Sequence, residues 1–144
     1  MPVSNAVGNA ILNCYLRGVN ITAPTGVWIS LHDADPGITG ANEVSTGDWP
    51  SYARLHASQG GAVATGFDAA ALKETRNALE LLFAAHDGTA NVTVTHVGFW
   101  DHPTAGNFII PGQLVDQDDD PITKTFSPSD EPVIHADEIL VAVL

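Results

Sequence analysis

The sequence predicts an all-β fold, mainly an antiparallel β-sandwich of about six to eight strands, preceded by an N-terminal α-helix. Several short runs of residues alternate apolar with polar side chains between turn-forming residues, which is the period of a half-buried strand. The first eighteen residues instead place apolar side chains three and four positions apart, which is the period of a helix. The 144 residues have the size of one domain, 1–144, with the helix at 1–18 and the sandwich at 24–144.

The N-terminal segment carries start and stop signals for a helix. Ser4 is a suitable N-cap, and the helix is expected to end at Arg17, because a glycine follows it directly. Val7, Ile11 and Cys14 lie on one face. We favour packing of this stripe on the chain's own sheet, with a partner-binding helix as the alternative. Burial on that face would leave the Cys14 thiol unreactive.

Strands are predicted at 27–32, 52–57, 92–100, 107–114, 122–126 and 138–144. The last segment is nearly all apolar, so we expect it to be central or covered on both faces.

The segment 68–86 gives conflicting signals. Asp68 followed by an alanine-rich run favours a helix by intrinsic propensity, whereas Arg76 to Phe83 fits a strand that a sandwich requires. We favour a strand from about Arg76. The acidic run 116–121 is predicted to be a solvated hairpin loop.

Charge excludes some partners. Five Lys and Arg against seventeen Asp and Glu give a net charge of −12. The basic residues are too few and too scattered to hold phosphates, so neither nucleic acid nor an anionic membrane is an expected partner. The N-terminus lacks the pattern of a secretory signal or a membrane span, so we expect synthesis in a cytoplasm.

Histidines and carboxylates near two predicted strand ends raise the question of a metal site. The two groups are His32, Asp33 and Asp35, and His96, Asp101 and His102. Neither group has the spacing of a known metal motif. The favoured interpretation is that His32 and His96 are buried side chains hydrogen-bonded to loop backbone, so no metal or other cofactor is expected.

Catalytic motifs are also lacking. The acidic run has neither the central glycine nor the closing glutamate of an EF-hand loop, and no G-x-S-x-G elbow occurs. We therefore expect a non-enzymatic protein without catalytic residues. A small hydrolase or metal enzyme is the alternative, which bound metal or pH-dependent turnover in the purified protein would reveal.

The longest informative segment, 28–44, reads WISLHDADPGITGANEV and is followed by Tyr-Ala-Arg at 52–54. It resembles a family of small bacteriophage virion proteins, described as tail fibre-like or minor structural (head-decoration) proteins, in which an LHTADPG-TGANEVSG-YAR pattern recurs. Shorter matching pieces follow in the same order, including VTHVGFWD at 94–101. The resemblance implies a virion location, after synthesis in a host bacterial cytoplasm, and supplies no catalytic residues. The residues assigned to this structural signature are Leu31, His32, Asp35, Pro36, Gly37, Gly40, Asn42, Glu43, Tyr52, Arg54, His96 and Gly98.

The residue types of this segment indicate that it organises a loop. Asp35, Pro36 and Gly37 suit a tight turn. We expect Arg54 to anchor the loop by pairing with Asp35 or Glu43 across the end of the sheet.

Two positions in the virion are considered. The leading prediction is an outer capsid decoration or cement protein, because one sandwich leaves no room for coiled-coil heptads or shaft repeats. The alternative is a tail fibre or tail-associated module involved in host adsorption. In either case the partners are phage virion proteins, the major capsid protein or tail proteins, and a symmetric homo-oligomer, a trimer, is expected.

Candidate interface residues are the helix residues Ile11, Tyr15 and Leu16, together with Trp49. Trp49 lies in an insertion relative to the family pattern, TGDWP at 46–50, and is interpreted as an exposed aromatic anchor. Its replacement by alanine would then leave the fold intact and weaken attachment.

Overall fold

The computed structural model describes residues 1–143, which begin with helix α1 (Asn5–Arg17). The Ser4 side chain accepts a hydrogen bond from the Val7 backbone N–H at 3.3 Å and caps the first turn. Gly18 ends the helix in the left-handed conformation, with φ of 69°. The predicted helix and its two ends are confirmed.

Within the described residues, ten strands follow the helix. They are β1 (Trp28–His32), β2 (Leu55–His56), β3 (Glu74–Arg76), β4 (Leu81–Leu82), β5 (Val92–Val94), β6 (His96–Trp100), β7 (Phe108–Leu114), β8 (Lys124–Phe126), β9 (Val133–Ile134) and β10 (Ile139–Ala142). Six of them form one antiparallel sheet in the order β2-β1-β6-β7-β10-β3, and the pairs β4-β9 and β5-β8 form two small antiparallel sheets. The predicted fold class, a sandwich of antiparallel sheets with an N-terminal helix, is confirmed.

The hydrophobic core joins the large sheet to the two small ones. Ile29 and Leu31 of β1 pair in register with Phe99 and Val97 of β6, which places these four side chains on one face. Together with residues of the small sheets, such as Leu81, they form one buried cluster. Because a sheet stabilises itself by covering an apolar face, the small sheets act as the second layer of the sandwich.

Strand β1 is buried on both faces. Ser30 and His32 alternate with the core residues and point away from the core, yet neither is exposed to solvent. The chain after β1 returns over this face, since Val44 donates its backbone N–H to Leu31 and the residues between them form a loop. The second face of β1 is therefore covered by the loop that follows it.

The predicted strand at 92–100 is two strands. Residues 92–94 pair with β8 in a small sheet, whereas residues 96–100 pair with β1 and β7 in the large one. Thr95 lies between them and donates its backbone N–H to the His32 carbonyl. The continuous apolar pattern hides this change of layer, because both halves bury alternate side chains in the same core.

The segment 68–86 also differs from its prediction. Leu72 and Lys73 have φ of 52° and 69°, which a helix excludes, and strand pairing begins at Glu74. The favoured interpretation is right that this segment forms strand rather than helix. It is wrong that one strand covers it, because β3 joins the large sheet and β4 joins a small one. Asn77 occupies the break, where its side chain accepts from the Ile139 N–H and donates to the His135 and Leu79 carbonyls.

Other strand boundaries are shorter than predicted. Only Leu55 and His56 of the 52–57 segment pair with β1, since residues 45–52 form hydrogen-bonded turns. The C-terminal strand ends at Ala142 and lies between β7 and β3, as expected for a central strand; its predicted last residue, 144, lies outside the described residues. Strand β9 was not predicted. The exposed acidic run 116–121 closes into a local hairpin through a bridge between Val115 and Pro121, as expected.

The prediction for Trp49 is wrong. Its side chain is fully buried, not exposed, and its ring contacts Tyr52, Phe83, His86 and Phe126 at centroid distances of 5.2 to 6.5 Å. An indole offers more apolar surface than any other side chain, so a turn-rich insertion folds inward around it. The insertion at 46–50 contributes a core residue rather than a surface anchor.

Helix α1 packs less closely than predicted. Val7, Ile11 and Cys14 are half-buried, and none of the helix's own residues is buried. The expected burial of Cys14 is thus only partial. Tyr15 and Leu16 are 82% and 77% exposed. The helix therefore covers the start of β7 with one edge and presents an apolar face to solvent.

Candidate functional site

The loop that follows β1 is closed by hydrogen bonds of its own side chains. An Asp35 carboxylate oxygen accepts from the Gly37 backbone N–H at 2.8 Å, and the Asn42 side-chain amide donates to the Asp35 carbonyl at 2.9 Å. The Pro36 carbonyl accepts from the Gly40 and Ala41 N–H groups at 3.1 Å. Short polar side chains and proline thus set the turn, as their residue types indicate.

His32 joins this loop to the sheet. Its Nδ1 lies 2.6 Å from the Ala41 carbonyl oxygen, and its Nε2 lies 2.6 Å from the Ser30 hydroxyl. A carbonyl only accepts, so Nδ1 carries the proton and Nε2 of the neutral ring accepts from Ser30. Ser30 Oγ in turn accepts from the Trp100 indole N–H at 2.8 Å. The interpretation of His32 as a buried side chain bonded to loop backbone is confirmed.

Burial lowers the pKa of His32 below its ordinary value of 6.5, although the Ala41 hydrogen bond and the nearby Glu43 carboxylate act in the opposite direction. The folded chain therefore binds fewer protons at this ring than the unfolded chain does. Stability from the neutral ring is complete above the unfolded pKa and is lost as the pH falls through the folded value.

We predict that the free energy of unfolding declines as the pH falls below about 6.5, the ordinary pKa of histidine, because the unfolded chain takes up this proton more readily than the folded chain does. Urea unfolding across this range would show a smaller decline in His32→Gln, whose amide stays neutral. His135→Gln, at an exposed histidine, is the matched control and should follow the original chain. Equal pH dependence in His32→Gln and the original chain would contradict the prediction.

Glu43, Tyr52, Arg54 and Trp100 form the main attachment of the loop, which we call the loop clamp. Arg54 donates to both oxygens of Glu43, from Nε at 2.9 Å and from Nη2 at 2.7 Å. Its Nη1 donates to the His102 and Ala105 carbonyls, at 3.3 and 2.8 Å. The expected pairing of Arg54 with a loop carboxylate is present, and the partner is Glu43 rather than Asp35.

Aromatic groups complete the loop clamp. The Arg54 guanidinium carbon lies 3.6 Å from the centre of the Trp100 ring, the geometry of a cation–π contact. The Tyr52 hydroxyl donates to Glu43 at 3.1 Å and accepts from the Leu31 N–H at 2.9 Å. Burial and the neighbouring Glu43 carboxylate raise the pKa of Tyr52 far above its ordinary value, so the phenol stays neutral and keeps donating.

Two glycines allow the loop to approach the sheet. A Cβ at Gly40 would lie 2.4 Å from a Trp100 ring atom, and its φ of 75° is left-handed. A Cβ at Gly98 would lie 2.6 Å from His32 Nε2 and 2.7 Å from Ser30 Oγ. Both positions require glycine because a side chain there would separate the groups that hold the loop.

Most signature residues therefore converge on one structure around β1, but His96 does not take part. It lies opposite His32 in the strand register, and its Nδ1 contacts the Thr95 hydroxyl at 2.8 Å, so its expected bond to loop backbone is not seen. Asp101 accepts from the backbone and side chain of Asn107, and its pKa is lowered mainly by the backbone bond. Across residues 1–143, no group of three or more His, Cys, Asp or Glu side chains is arranged to hold a metal ion.

Sequence reasoning missed Ser30 and Trp100 as parts of this structure. Ser30 shares a sheet face with His32 two positions on, and this alternation was the available signal. Nothing local indicates that Trp100, 70 positions from Ser30 in sequence, donates to its hydroxyl.

The candidate interface residues are divided by the structure. Tyr15 and Leu16 lie on the exposed face of α1 beside Leu12, which is 57% exposed. Ile11 is half-buried and lines a groove of about 270 Å³ between α1 and β7. Trp49 belongs to the core. The exposed apolar surface of this region thus lies on the helix.

The buried polar groups around β1 bind backbone groups and one another, and together with the fold they define an all-β structural domain with a firmly held surface loop. The model of a protein family described as Podophage GP4 fiber I protein gp80 matches residues 2–142, so the chain belongs to that family. It is a phage structural protein and a component of the virion, which confirms the resemblance to phage virion proteins drawn from the sequence. No curated protein matches the chain. Among the described residues, no helix is long and apolar enough to cross a membrane.

Proposed function

We propose that the chain is a non-enzymatic structural module of a phage fibre. The observation that carries this proposal is the match to a fibre-protein family over residues 2–142. The loop clamp supports it, because Arg54, Glu43, Tyr52 and His32 all bind neighbouring protein groups in ways that hold a shape. Such bonds stabilise a surface that other proteins contact, and a reaction would require groups free to meet a substrate.

The module is mounted by protein contacts, as a symmetric homotrimer. All seventeen acidic residues follow position 32, so the β-domain carries the negative charge and α1 carries only Arg17. An apolar, nearly uncharged helix suits attachment to neighbouring virion proteins, whereas the acidic surface stays solvated.

A capsid decoration or cement protein is the second candidate. The acidic net charge favours a decoration protein as much as a fibre module. Either one faces outward and needs no basic side chains, whereas a subunit that lines a DNA-filled interior would need them. The family description names a fiber protein, and we place the fibre first for that reason.

Copy number per virion tests the proposal. Quantitative mass spectrometry of purified particles, calibrated against the major capsid protein, should give at most a few dozen copies, and antibody labelling should place them on fibres. Hundreds of copies in a simple ratio to the capsid protein would replace the fibre with a decoration role. Absence from purified particles would overturn both.

A further inference from the structure

Two apolar surfaces of this chain are left uncovered by its own fold. The first is the outward face of α1, made by Leu12, Tyr15 and Leu16, which are 57%, 82% and 77% exposed. The second is a groove of about 210 Å³ that exposes only apolar atoms. Its lining includes Pro24, Val27, Phe67, Phe99, Ile110 and Val141, and we call it the apolar groove.

The outward face does not fill the groove of its own chain. Phe99, Ile110 and Val141 are almost fully buried and form the floor of the groove, whereas Pro24 is exposed at its rim. The residues of α1 turned toward the domain line an adjoining groove, which shares Pro24 and Ile109 with the apolar groove. One chain therefore carries two exposed apolar surfaces, the outward face of α1 and the apolar groove, and covers neither of them itself.

Charge indicates which partner covers them. Two copies with a net charge of −12 each repel one another, so they approach best through surfaces without carboxylates. Residues 1–32 contain no acidic residue, and the groove is lined by uncharged residues. A basic partner would instead be attracted to the acidic surface that residues after position 32 form, and Arg17 would repel it from the helix. The uncharged pair of surfaces thus fits a second copy of the chain.

Interface size favours the use of both surfaces. Leu12, Tyr15 and Leu16, with the half-exposed Val19 and Ile21 that follow, expose on the order of 600 Å² of side-chain surface, at about 200 Å² per fully exposed large side chain. A stable interface buries about 800 Å² per partner. A single contact through the helix face falls short of this, whereas in a closed ring each copy is held by two such contacts, one through its helix and one through its groove.

We propose that the outward face of α1 packs into the apolar groove of a neighbouring copy, so that each chain gives its helix to one neighbour and receives the helix of another. Such a head-to-tail contact closes into a ring when successive copies are related by a third of a turn, and three copies then make the trimer of the proposed function, on which this inference rests. The trimer is thus built without participation of the loop clamp.

Light scattering coupled to size-exclusion chromatography of the purified full-length chain tests this contact. The original chain should have three times the 15.1 kDa mass of one copy. Leu16→Glu, on the helix, and Pro24→Glu, at the groove, should each be monomeric with an unchanged thermal transition. Thr75→Glu, on the groove wall, replaces Pro24→Glu if that variant unfolds. Leu82→Glu, at an exposed leucine of β4, is the matched control and should remain trimeric.

Mixing the two variants decides how the copies meet. A Leu16→Glu chain keeps its groove and a Pro24→Glu chain keeps its helix, so an equimolar mixture should form a one-to-one heterodimer in native mass spectrometry. A mixture that stays monomeric would overturn the helix-in-groove contact, as would a monomeric original chain or a trimeric Leu16→Glu variant. These results concern the isolated chain, so they are independent of the copy number that tests the virion role.

Discussion

Arg54→Ala is expected to lower the free energy of unfolding by about 3 kcal/mol, because removal of one partner from a largely buried ion pair leaves the other charge uncompensated. The side chains of Arg54 and Glu43 are 10% and 22% exposed, so the loss is set at the lower end of the range for fully buried pairs. Arg54→Ala also loses two hydrogen bonds to the His102 and Ala105 carbonyls and the contact with the Trp100 ring. Tm should fall by roughly 10 °C.

The matched control is Arg17→Ala. Arg17 is exposed on α1, where it donates only to the Asn13 side chain, so its removal should change the stability by less than about 0.5 kcal/mol. Arg54→Lys should fall between the two, because an ammonium keeps the charge but not the bidentate geometry. Hydrogen exchange should show faster exchange of the loop amides at Asp33 and Val44 in Arg54→Ala. A stability equal to that of Arg17→Ala would remove the loop clamp as a stabilising element.

Trp49→Ala is expected to lower the free energy of unfolding by about 3–5 kcal/mol, at least as much as Arg54→Ala, as measured by urea unfolding. The indole is fully buried, contacts Phe83 and Phe126 across the core, and donates its N–H to the Ala85 carbonyl at 3.2 Å. Removal of the ring leaves a cavity and an unpaired carbonyl. This expectation reverses the sequence-based one, in which the same substitution leaves the fold intact.

Trp49→Phe separates the effect of the cavity from the effect of the unpaired carbonyl. It keeps an aromatic ring in the core and removes the N–H donor, so it should cost about 1–2 kcal/mol, clearly less than alanine. Leu72→Ala, at a side chain that is 95% exposed, should be neutral and controls for the loss of a large apolar residue. An unchanged Tm in Trp49→Ala together with weaker virion attachment would restore the surface interpretation.

The two regions have different roles in this account. The loop clamp and the Trp49 core set the stability of the β-domain, and in the proposed trimer the outward face of α1 makes the contacts between copies. Substitutions in the first group should therefore change unfolding, and substitutions at Leu16 should change association without changing unfolding. The proposed fibre module needs both properties, because a subunit that unfolds easily presents no fixed geometry to its neighbours.

Local sequence determined those features whose cause lies within a few residues. The ends of α1 follow from a serine cap and a glycine in the left-handed conformation, and the turn at Asp35 to Gly37 follows from side chains that bond their own backbone. The class of fold follows from the period of apolar residues, which any sandwich must satisfy. The family resemblance likewise rests on residues that are close in sequence, and the family match confirms the coarser conclusion, a phage structural protein.

Tertiary structure alone decided what depends on distant partners. Whether Trp49 faces solvent or core is set by residues 83–126, and which carboxylate Arg54 binds is set by how the loop crosses the sheet. The strand break at Thr95 follows from two different pairing partners, although one unbroken apolar pattern covers both strands. The physical reason is common to all three. Periodicity reports that a side chain is buried, but the long-range pairing of strands decides against which neighbours it is buried.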